Sequence, residues 1–354
     1  MTLYEELCSF EHLYYAFMRA RKGKRKQEEI AAFERNLEPE LFKLREALLA
    51  QQYRPGGYHS FYLTEAKRRL ISAAPFPDRV VHHALIGVTE PIFERHFIFD
   101  SYANRKGKGT HRALDRCTYY LRRNAYSLQC DIRQFFPSID HTILKAMLGK
   151  LILDKKVRWL ADQIIDTGVG VLDEEYEMHW FPGDDPSTGS GQGLFAANRP
   201  RGLPIGNLTS QFWANLYLNA LDQFVKRELK CRSYIRYVDD FLLFADDKKT
   251  LHGWKEAIVE FLASLRLTIH EAAPVRPVSE GLPFLGFILY PNYRRLKPAR
   301  GYEFRRNLHQ KLNAYADGEL DAKKLDASIQ GWVAHATHGD TWGLRRTVFS
   351  GQKL

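Results

Sequence analysis

The stretch Tyr234-Ile-Arg-Tyr-Val-Asp-Asp-Phe-Leu-Leu-Phe-Ala245 sets two adjacent carboxylates, Asp239 and Asp240, between two β-prone apolar runs. Tyr234–Tyr237 and Phe241–Phe244 read as strands, which puts the acidic pair at a hairpin tip. Two such charges about 4 Å apart repel by roughly 4 kcal/mol at an effective dielectric of about 20. A divalent cation reverses the sign of that interaction. The pattern therefore points to a magnesium site and to phosphoryl-transfer chemistry. An Asp-Asp pair alone also fits an ordinary solvated turn; its setting between two apolar strands separates the two readings.

A third carboxylate belongs with the pair. Asp131 closes an apolar run in Leu128-Gln-Cys-Asp-Ile-Arg-Gln-Phe-Phe-Pro-Ser-Ile-Asp140. Two ions about 3.5–4 Å apart need more oxygens than one hairpin tip supplies, and a strand-end aspartate on a neighbouring strand can add them. One ion would activate a primer 3′-hydroxyl; the other would hold a triphosphate and its leaving group. Phe136 reads either as a core aromatic or as a plate beneath the incoming sugar, where it would clash with a 2′-hydroxyl.

The 354 residues suffice for two or three domains, and a 45% hydrophobic content excludes wholesale disorder. Lys and Arg outnumber Asp and Glu by 52 to 42, a net charge of +10, which favours a polyanionic partner. The excess is clustered at Arg19–Lys26, Lys67–Arg69, Arg105–Lys108, Arg122-Arg123 and Arg294–Arg306. Aromatics lie between the clusters, among them Tyr58, Phe61, Tyr62, Tyr119 and Tyr302. One cluster is a solvated face; five with interleaved aromatics fit a nucleic-acid groove. Cys8, Cys117, Cys130 and Cys231 form no CxxC, which argues against structural zinc and for a reducing compartment. Without a signal-peptide core or an 18-residue apolar run, the expectation is a soluble cytoplasmic protein with no membrane partner.

Apolar spacing predicts helices through residues 1–50, then short strands within Tyr53–Ala74. A helix is expected from Pro77 to about Pro91, and another from an N-cap at Thr110 to about Arg123. Tyr126–Ile132 reads as a strand, and Thr142–Lys150, Lys156–Ile165, 209–226 and Leu251–Leu265 as helices. Thr268–His270 and Phe284–Leu289 read as strands. The last 50 residues read as helical, with Trp332 and Trp342 as core anchors. The Gly-, Ser- and Pro-rich segment 182–202 reads as a mobile surface loop; it lacks the Gly-Lys-Ser/Thr of a P-loop.

In order along the chain, these motifs resemble those of reverse transcriptases, over about residues 53–293. Asp131 matches the family's first catalytic Asp, and Tyr237-Val-Asp239-Asp240 its Tyr-x-Asp-Asp box. The resemblance implies an α+β right-hand polymerase fold, with N-terminal helices and fingers over 1–125, palm over 126–293 and thumb over 294–354. Part of the fingers would lie around 203–211. It implies metal ligation by Asp131, the Ile132 backbone, Asp239 and Asp240, with two Mg2+ ions (or Mn2+ in their place). Lys67 and Arg69 would touch the triphosphate, and Arg133, Phe135, Phe136, Ile205 and Gly206 would complete the nucleotide site. Asn104, Arg105, Asn207, Ser210, Gln211 and Tyr237 would meet template or primer. Phe284-Leu285-Gly286-Phe287 resembles the primer grip. The implied partners are an RNA template, a DNA or RNA primer and dNTPs.

The subclass rests on Gly202-Leu-Pro-Ile205-Gly-Asn-Leu-Thr-Ser-Gln211. Ile205 stands where most of the family has Gln, and Gln211 where it has Pro. This variant resembles the enzymes of diversity-generating retroelements, where the aliphatic residue accompanies errors opposite template adenines and a small basic accessory protein is a partner. A Gln amide can hydrogen-bond near the template base and Ile cannot; alternatively Ile205 only packs. A bacterial anti-phage defence enzyme and a non-catalytic RNA-binding scaffold are the other readings. An intron maturase is disfavoured by the short stretch after the thumb. The family's Lys after the catalytic hairpin is missing from Thr268–Arg276, leaving His270 or Arg276 as the proton donor.

Overall fold

The computed structural model describes residues 1–64, 68–181 and 199–350. Four helices open the chain: α1 (Leu3–Leu7), α2 (Phe10–Ala20), α3 (Glu28–Arg35) and α4 (Leu37–Leu49). Leu7, Phe17, Ile30, Phe33, Leu41, Leu44 and Leu48 bury the stripe that their spacing foretold. Phe10 and Tyr14, expected in that stripe, stay exposed; Phe10 packs instead against Phe42 at the surface. Side-chain oxygens of Thr2 and Ser9 cap α1 and α2, satisfying N–H groups that a helix start leaves open.

An exposed antiparallel hairpin follows, β1 (His59–Thr64) with β2 (Arg68–Ala73). Helix α5 (Phe76–Glu94) continues through Pro91, where the sequence predicted its end. A mid-helix proline costs about 3 kcal/mol, but Phe93 beyond it is fully buried and holds the last turn in the core. Helix α6 (Thr110–Leu121) is preceded by Gly109 at φ 106°, which takes the cap position expected for Thr110. The Thr110 hydroxyl instead hydrogen-bonds the Tyr237 hydroxyl at 3.1 Å.

The central sheet is antiparallel throughout, in the order β4 (Tyr234–Tyr237), β5 (Asp240–Ala245), β3 (Tyr126–Asp131) and β6 (Val275–Pro277). Strand β5 explains its unbroken Phe-Leu-Leu-Phe. Phe241 and Leu243 enter the main core, shared with the N-terminal helices and α5. Leu242 and Phe244 enter a second core beneath α6. A strand covered on both faces has no polar alternation. The main-core side also receives α7 (Phe135–Ser138), α8 (His141–Leu151), α9 (Lys155–Asp166), α10 (Leu208–Arg227) and α11 (Lys248–Ser264).

Two strand expectations are corrected. Thr268–His270 forms only an isolated bridge, Ile269 to Ile132. Phe284–Leu289 is not one strand but a hairpin, β7 (Leu282–Phe284) with β8 (Phe287–Leu289), and β9 (Arg294–Leu296) lies beside β8. Its turn residues, Leu285 at φ 46° and Gly286 at φ 90°, have the paired positive φ of a two-residue hairpin loop. The C-terminal helices α12 (Pro298–Ala316), α13 (Ala322–Ala336) and α14 (Trp342–Phe349) close on a small core of Leu308, Leu325 and Val348. Trp332 anchors it, stacked on Phe304 at 4.1 Å. Trp342 does not: it opens α14 with 64% of its surface exposed.

Among the described residues, one ion pair is fully buried. The Arg236 side chain on β4 gives Nε and Nη2 to Asp222 on α10, at 2.8 and 2.7 Å. Its Nη1 donates to Asn215 Oδ1 and to the Val238 carbonyl, both at 3.0 Å, and Nη2 reaches the Asn215 carbonyl at 3.4 Å. Those contacts match the donors a guanidinium offers. Arg236→Met would leave Asp222 charged and buried, and is expected to cost about 3–5 kcal/mol in urea denaturation. Arg236→Met combined with Asp222→Leu is expected to recover most of that loss.

Candidate active site

The strand register assembles the three aspartates. Asp131, the last residue of β3, pairs with Asp240, the first of β5, and Asp240 pairs in turn with Tyr237. Asp239 lies in the intervening turn beside Val238, whose φ is 57°. A β-branched residue is strained there, at a cost of order 1–3 kcal/mol. The bond from Arg236 Nη1 to the Val238 carbonyl holds that turn. The aspartates face a cleft of about 1030 Å³.

The carboxylates are electrostatically uncomfortable. Burial first, and then the Asp131 charge, push the Asp239 carboxyl up to about 6. Burial likewise pushes Asp240 up to about 7, against a Gln129 hydrogen bond that lowers it; Asp131 and Asp239 raise it further. Both groups bind protons more tightly folded than unfolded, so their ionisation erodes stability as pH rises from about 4 toward those values. His270 Nε2 approaches Asp131 Oδ2 at 3.7 Å.

Three carboxylates are the hard oxygen donors that magnesium takes, and their mutual repulsion is what a divalent ion would relieve. The donor chemistry therefore fits. Among the described residues, no three His, Cys, Asp or Glu side chains stand at ligating spacing. The bridge beside Asp131 uses His270 N to Asp131 O and Arg133 N to Thr268 O. The Ile132 carbonyl, expected as a ligand, is not one of its acceptors.

Most of the other expected residues also reach the cleft. Arg69 lines it from the exposed hairpin, Phe135 and Phe136 from below, Ile205 and Gly206 from the segment leading into α10, and Ser210 and Gln211 from that helix's first turn. Phe135 is 2% exposed, Phe136 half-buried. The Ile205 carbonyl accepts from Ser72 N at 2.8 Å, which ties its backbone to β2. Asn104, Tyr237 and Leu285 line the cleft as well, as do His270 and Arg276. Gly286 faces instead a groove toward the C-terminal helices with Thr110, Phe304 and Trp332.

Three expected residues point elsewhere. Arg105 is spent on Glu94 and on the Ile98 and Ser101 carbonyls. Asn207 is 2% exposed and ties Ala74 N, Ser72 O and Pro204 O together. Both side chains brace loops rather than face the cleft. Arg133 pairs with Glu177 outside it. Lys67 and most of the expected mobile loop, 182–198, lie outside the described residues.

Two functional-site residues were missed. Gln129 lines the cleft and bonds Asp240; standing two before Asp131 on one strand, it was available from the period-two pattern. Arg236 carried no such signal, because its partners Asn215 and Asp222 lie on another element.

The reverse transcriptase (RNA-dependent DNA polymerase) family matches residues 60–289. Protein YkfC of Escherichia coli is 24% identical over 290 residues, 70% of each chain. The group II intron-encoded protein LtrA of Lactococcus lactis is 25% identical over 191 residues, 53% of this chain but 28% of its own. The nuclear intron maturase 1 of Arabidopsis thaliana is 27% identical over 126 residues, 35% of this chain and 17% of its own. The present chain thus spans under a third of these two intron proteins. No described helix is long and apolar enough to cross a membrane. With its mixed helices and antiparallel sheets, the chain belongs to the reverse transcriptase family, RNA-directed DNA polymerases of the right-hand fold that extend a primer on an RNA template.

Proposed function

We propose that Asp131, Asp239 and Asp240 are the catalytic carboxylates of this polymerase, and that they hold two magnesium ions. The supporting observation is their convergence, by strand register, on one cleft, where the Asp239 and Asp240 carboxyl pKa values are raised. Bound metal would activate the primer hydroxyl and stabilise the triphosphate. Around it, Arg69 meets the triphosphate, Phe136 underlies the sugar, and Tyr237 and Leu285 support the primer end. Asn104, Ile205, Ser210 and Gln211 form the template side. In this reading the palm is built on β3–β6, the fingers on the N-terminal helices and the β1–β2 hairpin, and the thumb on α12–α14.

The subclass we favour is the diversity-generating type, error-prone opposite template adenines. Ile205 supports it, an aliphatic side chain in the cleft where an amide would offer hydrogen bonds. The similarity to an intron-encoded protein and an intron maturase favours a second reading, an intron-type enzyme.

Primer extension on an RNA template with magnesium tests the enzyme reading. Asp131→Asn and Asp239→Asn are each expected to abolish extension, with template–primer affinity retained; affinity lost in step with activity would mark these residues as structural. Phe136→Ala is expected to raise ribonucleotide use relative to deoxynucleotide in single-nucleotide kinetics, and an unchanged ratio removes the gate. Ile205→Gln is expected to lower misincorporation opposite adenine in sequenced cDNA. An error spectrum identical to wild type favours the intron-type reading.

A further inference from the structure

We propose that Gln129 is a positioning residue for the polymerase reaction: its amide holds Asp240 at the edge of the aspartate cluster and sets how tightly the site takes up a divalent cation. The proposal rests on the reading of Asp131, Asp239 and Asp240 as the metal-binding set.

The register supplies the geometry. Gln129 stands opposite Leu242, and Asp131 opposite Asp240, on the paired strands β3 and β5. Residues two apart on a strand share a face. Gln129 and Asp131 therefore look the same way, and Asp240 lies diagonally across from Gln129. Gln129 Nε2 sits 3.1 Å from Asp240 Oδ1 and 3.2 Å from Oδ2. This fixes the amide orientation, because the reversed amide would press an oxygen against two carboxylate oxygens.

The choice of residue matters chemically. An amide donates hydrogen bonds but carries no charge. Lys or Arg at 129 would neutralise Asp240 and compete with the incoming ion. An apolar residue would leave a half-buried carboxylate without this donor, free to turn. Gln restrains the carboxylate and leaves its charge for metal. The other aspartates have different surroundings: Asp131 meets His270, and the Asp239 turn hangs from Arg236. Gln129 is thus the neutral side chain that holds a cluster carboxylate by both oxygens.

The test is Mn2+ titration, followed by electron paramagnetic resonance, of the full chain bound to an RNA template and a dideoxy-terminated DNA primer. Gln129→Leu is expected to weaken Mn2+ binding by about 10-fold, at the lower end for partners that orient metal ligands. The Mg2+ needed for half-maximal extension should rise in parallel, with template–primer affinity unchanged. Gln129→Glu, which puts a fourth carboxylate there, is expected to tighten Mn2+ binding while slowing turnover. Gln129→Asn, with its donor drawn back by one methylene, should fall between Leu and wild type. Unchanged Mn2+ affinity in the Leu variant, or Leu and Glu shifting it in the same direction, overturns the proposal. Asp240→Asn in the same titration separates the layers. If it binds Mn2+ as wild type does, the metal reading of Asp240 fails, and the role of Gln129 with it.

Discussion

The buried guanidinium of Arg236 is the constraint on which the rest of the structure hangs. A charge without water must have every donor met, or the fold loses several kcal/mol. Meeting them takes Asp222 and Asn215 from one helix and the Val238 carbonyl from the turn that carries Asp239. Tyr234 adds a bond to Asp222, and Asn215 passes the network on to the Ala103 carbonyl. The backbone repeats the tie: Arg236 N donates to Asp100 O, and Tyr102 N to Arg236 O. One side chain therefore joins the central helix, the acidic hairpin and the loop carrying Asn104. The strained left-handed Val238 persists because this network leaves the turn no alternative.

That rigidity lets the fold keep a locally unfavourable feature. Three carboxylates are held near one another, two of them with raised pKa values. A looser hairpin would let them separate into water. The same logic explains the two-faced β5: apolar cores on both sides fix the strand that ends in Asp240. Packing energy at one end of the sheet offsets electrostatic strain at the other.

The parts of this architecture that depend on local pattern were legible in the sequence. The hairpin strands, the buried α10 and the convergence of Asp131 with Asp239 and Asp240 followed from periodicity, apolar runs and motif order. The misses share a physical cause. Phe284–Leu289 read as one apolar run because Leu285 gives no hint of a positive φ; only its neighbour Gly286 does. Pro91 would end an isolated helix, yet tertiary burial of Phe93 overrides it. Arg105 and Asn207 look like ligand-facing polar residues in a motif, but Arg105 folds back on the loop before it and Asn207 ties to residues far away in sequence. Trp342 has the composition of an anchor but sits at a helix start facing outward.

The C-terminal helices stand apart in how they are secured. Their own core is three buried side chains and a Phe304–Trp332 stack, with Trp332 and Leu344 reaching the second core, beside a main core that runs from the N-terminal helices to the sheet. Regions with few buried apolar contacts open locally at lower free energy than the global transition. Amide hydrogens of α12–α14 would therefore exchange through a sub-global opening that leaves the sheet protected. These helices are then the first part of the fold to breathe, and they can do so while the strands that carry the aspartates stay paired.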